Sequence, residues 1–93
     1  MISDRTLHNI NAEAIRQDGK WGEQNHDPSV WLAILTEEVG ELAQAMLADK
    51  FAGTDPGMHD SHHVGMETEA IQVAAVAAQF VEYLERRKAG GAT

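Results

Sequence analysis

The chain has 93 residues, 43% of them hydrophobic, and 15 acidic against 7 basic residues leave a formal charge of -8. This is the composition of one small soluble globular domain, whose limited core would gain from partner subunits. The acidic balance disfavours coating DNA or RNA, which takes a basic surface, and the absence of cysteine excludes disulfides, thiolate catalysis and cysteine zinc sites.

The opening "MISDRTLHNINAEAI" lacks the basic segment and apolar run of a signal peptide. No window reaches the roughly 18 apolar residues of a membrane span. The expectation is a cytoplasmic protein with neither nucleic acid nor membrane as partner. In chain order, Asp4 is placed to cap a first helix over about Arg5 to Gln17, with Leu7, Ile10, Ala14 and Ile15 on its apolar side. In the following "DGKWGEQNHDPS", Gly19, Gly22 and Asn25 act as breakers. Asp27 before Pro28 then has the form of an N-cap with proline at the first helical position, and the second helix runs to about Lys50. A loop rich in glycine, histidine and aspartate covers Ala52 to Gly65. A third helix spans about Met66 to Lys88, before a frayed tail over about 89–93. No segment alternates as a strand would. The fold class predicted is all-α, an antiparallel bundle of about three main helices completed by oligomerisation.

The second helix carries Glu37, Glu38 and Glu41 within "LTEEVGELAQAML". Stepping 100° per residue from Val39, Leu35, Leu42 and Met46 fall within about 60°, with Trp31 at about 80° and Ile34 at about 140°. Glu38 lands at about 100°, between Trp31 and Ile34, Glu41 at about 160°, and Glu37 one step beyond. These spacings let the carboxylates converge, which destabilises a helix unless a cation compensates. Glu37 alone reads equally well as a solvated residue. On the third helix Glu69 falls about 40° from Val73, inside a stripe of Val76, Ala77, Phe80, Tyr83 and Leu84. An unpaired carboxylate there must be protonated, paired or bound to metal. A salt bridge to Arg16 or Arg86 is one solution. The other is a metal site built from a glutamate on each of two helices, whose oxygen ligands suit Mg2+ or Mn2+ and not zinc.

"EEVGE" at Glu37 to Glu41, 27 intervening residues, and "EAIQ" at Glu69 to Gln72 resemble the MazG-like branch of the all-α nucleoside triphosphate pyrophosphohydrolases. That family's motif is EExxE, a variable gap, then ExxD. The segments "RQDGKWGEQNHD" and "IQVAAVAAQFVEYLERR" extend the likeness over about Glu13 to Arg87. The resemblance implies hydrolysis of a nucleoside triphosphate to monophosphate and pyrophosphate. It implies Mg2+ held by Glu38, Glu41 and Glu69, with Glu37 as a further ligand or as the group that orients water. Phosphoryl transfer needs charge neutralisation and in-line positioning more than a covalent nucleophile, which fits such a cluster. The family's closing aspartate is Gln72 here, able to ligate through its carbonyl but bringing no charge. Weaker metal affinity, or one fewer ordered ion, is the expectation.

By the same analogy Gln17, Lys20, Trp21, Gln24 and Asn25 contact nucleotide, Trp21 stacking on a base and Lys20 lying near phosphate. Apart from that analogy Trp21 reads as a core anchor closing the loop over the bundle, and Trp31 as core. Gln72, Gln79 and Arg86 recur every seven residues along one edge of the third helix. Gln79 is thereby a candidate substrate contact, and Arg86 a candidate phosphate ligand in its own or a neighbouring subunit. Arg87 and Lys88 complement the helix dipole. His59, His62 and His63, with Asp60, read as a solvated loop or a lid more readily than as a histidine metal site. "AIQVAAVAAQFV" is apolar or small nearly all round. A homodimer or dimer of dimers is expected from it, with third helices packed through Ala74, Ala75 and Ala78. A nucleotide- or metal-binding regulator without turnover, and a purely structural oligomerisation module, are the competing functions.

Overall fold

Three helices make up the computed structural model, which describes residues 1–51 and 65–90: α1 (Asp4–Trp21), α2 (Pro28–Lys50) and α3 (Met66–Ala89). No strand occurs among the described residues. The histidine loop at 52–64 and the tail at 91–93 lie outside them.

The first helix begins one residue earlier than its sequence suggested. Ser3, and not Asp4, is the N-cap, its hydroxyl accepting from the Thr6 N–H at 3.1 Å, while Asp4 sits in the first turn where its charge complements the dipole. The helix also runs one turn longer, straight through Gly19. One glycine inside a helix costs only about 1 kcal/mol. The stop comes at Gly22, whose φ of 74° is open to glycine, with its N–H on the Asp18 carbonyl at 2.7 Å. The second helix starts as expected. Pro28 occupies the first turn, and Asp27 accepts from the Ser29 N–H at 3.0 Å. At the far end α3 continues through Ala89 to a cap at Gly90, so Ala89, expected in the tail, is helical.

Both α1 and α2 pack against α3, which explains why α3 is small or apolar on more than one side. Trp31 near the start of α2 meets Phe80 and Tyr83 late in α3, ring centroids 5.6 and 6.0 Å apart, so these helices run antiparallel. Trp31 is core, at 2% exposure, with His26 against its edge at 5.3 Å.

The buried seam of α2 is not centred on Val39. It follows Trp31, Glu38 and Ala45, seven residues apart, with Ile34, Leu35 and Leu42 half-buried beside it. That line is rotated by about 100° from Val39, and Glu38 lies at its middle. Leu32, Val39 and Met46 instead form a second stripe, 64%, 47% and 49% exposed. Two further expectations fail here. Trp21 is 59% exposed and anchors no core, and Ala75, expected to face a second subunit, is covered within its own chain.

Candidate functional site

The seam of α2 and the stripe of α3 bring their acids together. One oxygen from each of Glu38, Glu41 and Glu69 lies within 4.8 Å of the others. Glu69 is buried, Glu38 half-buried and Glu41 exposed, so the cluster opens from the helix interface towards solvent. Burial pushes the Glu69 carboxyl above its ordinary range, and the Glu41 carboxylate adds to the effect. Glu38 moves the same way, by burial first and then by the charges of Glu41, Glu69 and Glu13. An Oε2 atom on each of Glu38 and Glu69 is shielded from solvent and has no hydrogen-bond partner.

Neither arginine proposed for Glu69 reaches it. Arg16 holds Glu13 through two bonds of 2.9 and 2.7 Å, one turn apart on α1. Arg86 donates to the Gln24 carbonyl and to Asn25 Oδ1, both at 3.1 Å, and its Nε lies 3.5 Å from Glu23. With no cation on Glu69 among the described residues, the cluster is short of positive charge. Its donors are all carboxylate oxygens, and two of its three acids carry an orphaned atom. That set fits a hard divalent cation.

Beside the cluster lies a cleft of about 800 Å³ between α1, the α1–α2 loop and the interface of α2 with α3. Glu37, Glu38 and Gln72 line one part of it; Gln17, Trp21, Gln24, Asn25 and Gln79 line the rest. Most of the residues singled out as substrate contacts are therefore on one wall system with two of the acids. Lys20 and Arg86 are not. The Lys20 ammonium sits 4.7 Å over the Trp21 ring, and Arg86 ties the loop to the end of α3. Glu41 and Glu69 lie outside the cleft lining, and Glu37 is exposed at its rim.

Sequence reasoning passed over Glu13 and Arg16 as site residues, although both line the cleft. Their i, i+3 spacing, with Gln17 one step on, was the available signal. Gln17 is buried at 4% exposure and donates to Glu13 Oε2 at 2.8 Å. The Arg16 guanidinium beside Glu13 holds that carboxyl below its ordinary range, against the opposing effect of burial. Arg16 is the only lysine or arginine on the cleft wall among the described residues. His26 and Glu23 complete the loop side, with His26 Nε2 2.9 Å from Gln24 Oε1.

No family model, curated protein or solved structure matches the chain. No described helix is long and apolar enough to cross a membrane.

Proposed function

We propose that this protein is a Mg2+-dependent nucleoside triphosphate pyrophosphohydrolase of the MazG-like type, releasing monophosphate and pyrophosphate in nucleotide-pool housecleaning in the cytoplasm. The observation that carries the reading is the convergence of Glu38, Glu41 and Glu69 within 4.8 Å, with no lysine or arginine bonded to them among the described residues, next to a cleft of nucleotide size.

Glu38, Glu41 and Glu69 would hold the ion, with the Gln72 carbonyl available one turn along α3. Mg2+, or Mn2+ in its place, supplies charge neutralisation for a triphosphate and acidifies water at the site. The remaining work falls to the chain. Glu37, exposed at the rim, is placed to accept a proton from an attacking water, and Glu38 orients the same region from the seam. Arg16 is the cation that the cleft wall would offer a phosphate tail, its charge partly offset by Glu13. Trp21 presents an open indole face for a base, and Arg86 keeps the loop bearing Gln24 and Asn25 against α3.

The exposed Leu32, Val39 and Met46 stripe supports a homodimer, or a dimer of dimers, built on α2. The decisive assay is incubation with a nucleotide panel and Mg2+, scoring monophosphate and pyrophosphate. Turnover of at least one triphosphate is expected, with Glu38→Gln and Glu69→Gln losing most of it. Absence of turnover, or unchanged rates in both variants, refutes the mechanism. Gln72 in place of an acid favours a second reading, a nucleotide-binding regulator without turnover. Tight binding without product, and activity gained by Gln72→Asp, would establish it.

A further inference from the structure

Two glutamines on the cleft wall have no freedom to choose which end they present. The Gln17 amide nitrogen donates to Glu13 Oε2 at 2.8 Å, and that carboxylate, paired with Arg16, has no proton to give back. The Gln79 amide nitrogen donates to the Ala14 carbonyl at 3.2 Å and to Asp18 Oδ1 at 3.1 Å, both acceptors only. Flipping either amide would set acceptor against acceptor. In both side chains the remaining Oε1 is shielded from water and lacks any partner. Native interiors rarely leave such atoms unsatisfied, and both residues line the same cleft.

Glu13, Gln17 and Trp21 are spaced four residues apart, so they share one face of α1 at steps of about 6 Å. The face leads from the Glu38 end of the cleft, past the Gln17 amide, to the exposed indole. A base stacked on Trp21, with its phosphates towards Glu38, would bring its edge to Gln17.

We propose that Gln17 and Gln79 act as fixed hydrogen-bond acceptors that select bases bearing an exocyclic amino group. Cytosine, adenine and guanine carry such a donor. Uracil and thymine flank their single N–H with two carbonyls, which would meet the glutamine oxygens as acceptor against acceptor. Seating the base requires a shift of the rim side chains, since neither oxygen is open to water beforehand. Glu13 is a positioning residue: it fixes the Gln17 orientation without touching the base. The inference rests on the reading of the ligand as a nucleotide.

The test is equilibrium binding, with Mg2+ present, of non-hydrolysable α,β-imido analogues of dCTP, dATP, dGTP, dUTP and dTTP. At least one amino-bearing analogue should bind about tenfold or more tighter than the uracil and thymine analogues, the scale of one unsatisfied hydrogen bond. Glu13→Gln gives position 13 a donor beside its acceptor, frees Gln17 to flip, and should shrink that ratio to a few-fold. Gln79→Met should weaken amino-base binding and leave the thymine analogue nearly unchanged, with helicity by circular dichroism confirming both folds. Equal or tighter binding of the uracil and thymine analogues overturns the proposal, as does failure of every analogue to bind. An undiminished preference in folded Glu13→Gln overturns the positioning role. Selective binding without hydrolysis would instead refute the hydrolase reading alone, and hydrolysis without base preference would refute this inference alone.

Discussion

Glu69→Gln removes one charge from a cluster whose oxygens lie within 4.8 Å of one another, while nearly preserving volume. At that separation two unit charges repel by about 3 kcal/mol at an effective dielectric of about 20, and by about 1 kcal/mol at that of water. Glu69 is buried and Glu41 exposed, so the relief per pair falls between these bounds. The carboxyls' raised pKa reduces it further, because protonation already relieves part of the strain. A net gain of about 1 kcal/mol in EDTA is the expected outcome, which raises Tm by about 4–8 °C in a domain of this size. With Mg2+ the order reverses. Wild type gains stability with the logarithm of free ion, and the variant, having lost a buried ligand, gains little. Thermal melts across a Mg2+ titration, in parallel with EDTA controls, measure both. If Glu69→Gln is destabilised in EDTA, the carboxylate has a structural partner and the reasoning is wrong. A wild-type Tm indifferent to Mg2+ refutes it equally.

The pH dependence should follow the same groups. Glu38 and Glu69 have raised pKa values, so the folded chain binds their protons more tightly than the unfolded one, and metal-free stability falls as pH climbs from the ordinary glutamate value through the raised ones. Glu13 and Asp27 are depressed, and their contributions are lost as pH falls through their lowered values. Melts in EDTA should show the decline at rising pH, flattened in the Glu38→Gln, Glu69→Gln double variant; an unchanged slope there would contradict the assignment. Arg86→Met breaks the two 3.1 Å bonds to Gln24 and Asn25, and should raise KM several-fold with a smaller change in kcat, because the loop and not the acid cluster is disturbed. A kcat loss at constant KM would place Arg86 in the chemistry instead. Leu32→Lys with Met46→Lys, on the exposed stripe, should convert a dimer to monomers in sedimentation velocity; a monomeric wild type, or a dimer that survives both changes, rules out α2 as the interface.

Helix number and most boundaries were legible because they depend on local chemistry. Asp27 and Pro28 start α2 through a side-chain cap and a fixed φ, and both act within one turn. Gly19 misled because a lone glycine lowers helix stability without ending a helix, whereas Gly22 ends α1 by taking a positive φ. The meeting of Glu38 with Glu69 was also readable, since helical period alone put each among apolar neighbours. Which stripe of α2 turns inward was not. The helix is apolar on two sides, and the arc centred on Val39 joined Trp31, Leu35 and Leu42 of the inward side with Val39 and Met46, which face outward.

What the residue pattern determined by itself was therefore the set of helices and the presence of acids where a packing helix would not keep them. The tertiary structure decided the rest. It turned Glu38 inward by docking the Trp31–Ala45 line against α3, left Trp21 open, and gave Arg86 to the loop. Those outcomes depend on contacts between residues far apart in the chain, from the Trp31–Phe80 ring contact to the Gln79–Ala14 and Arg86–Gln24 bonds, which no local periodicity encodes. Because Arg16 is bonded to Glu13 and Arg86 to the loop, neither arginine is bonded to Glu38, Glu41 or Glu69, and among the described residues that deficit is what a divalent cation would answer.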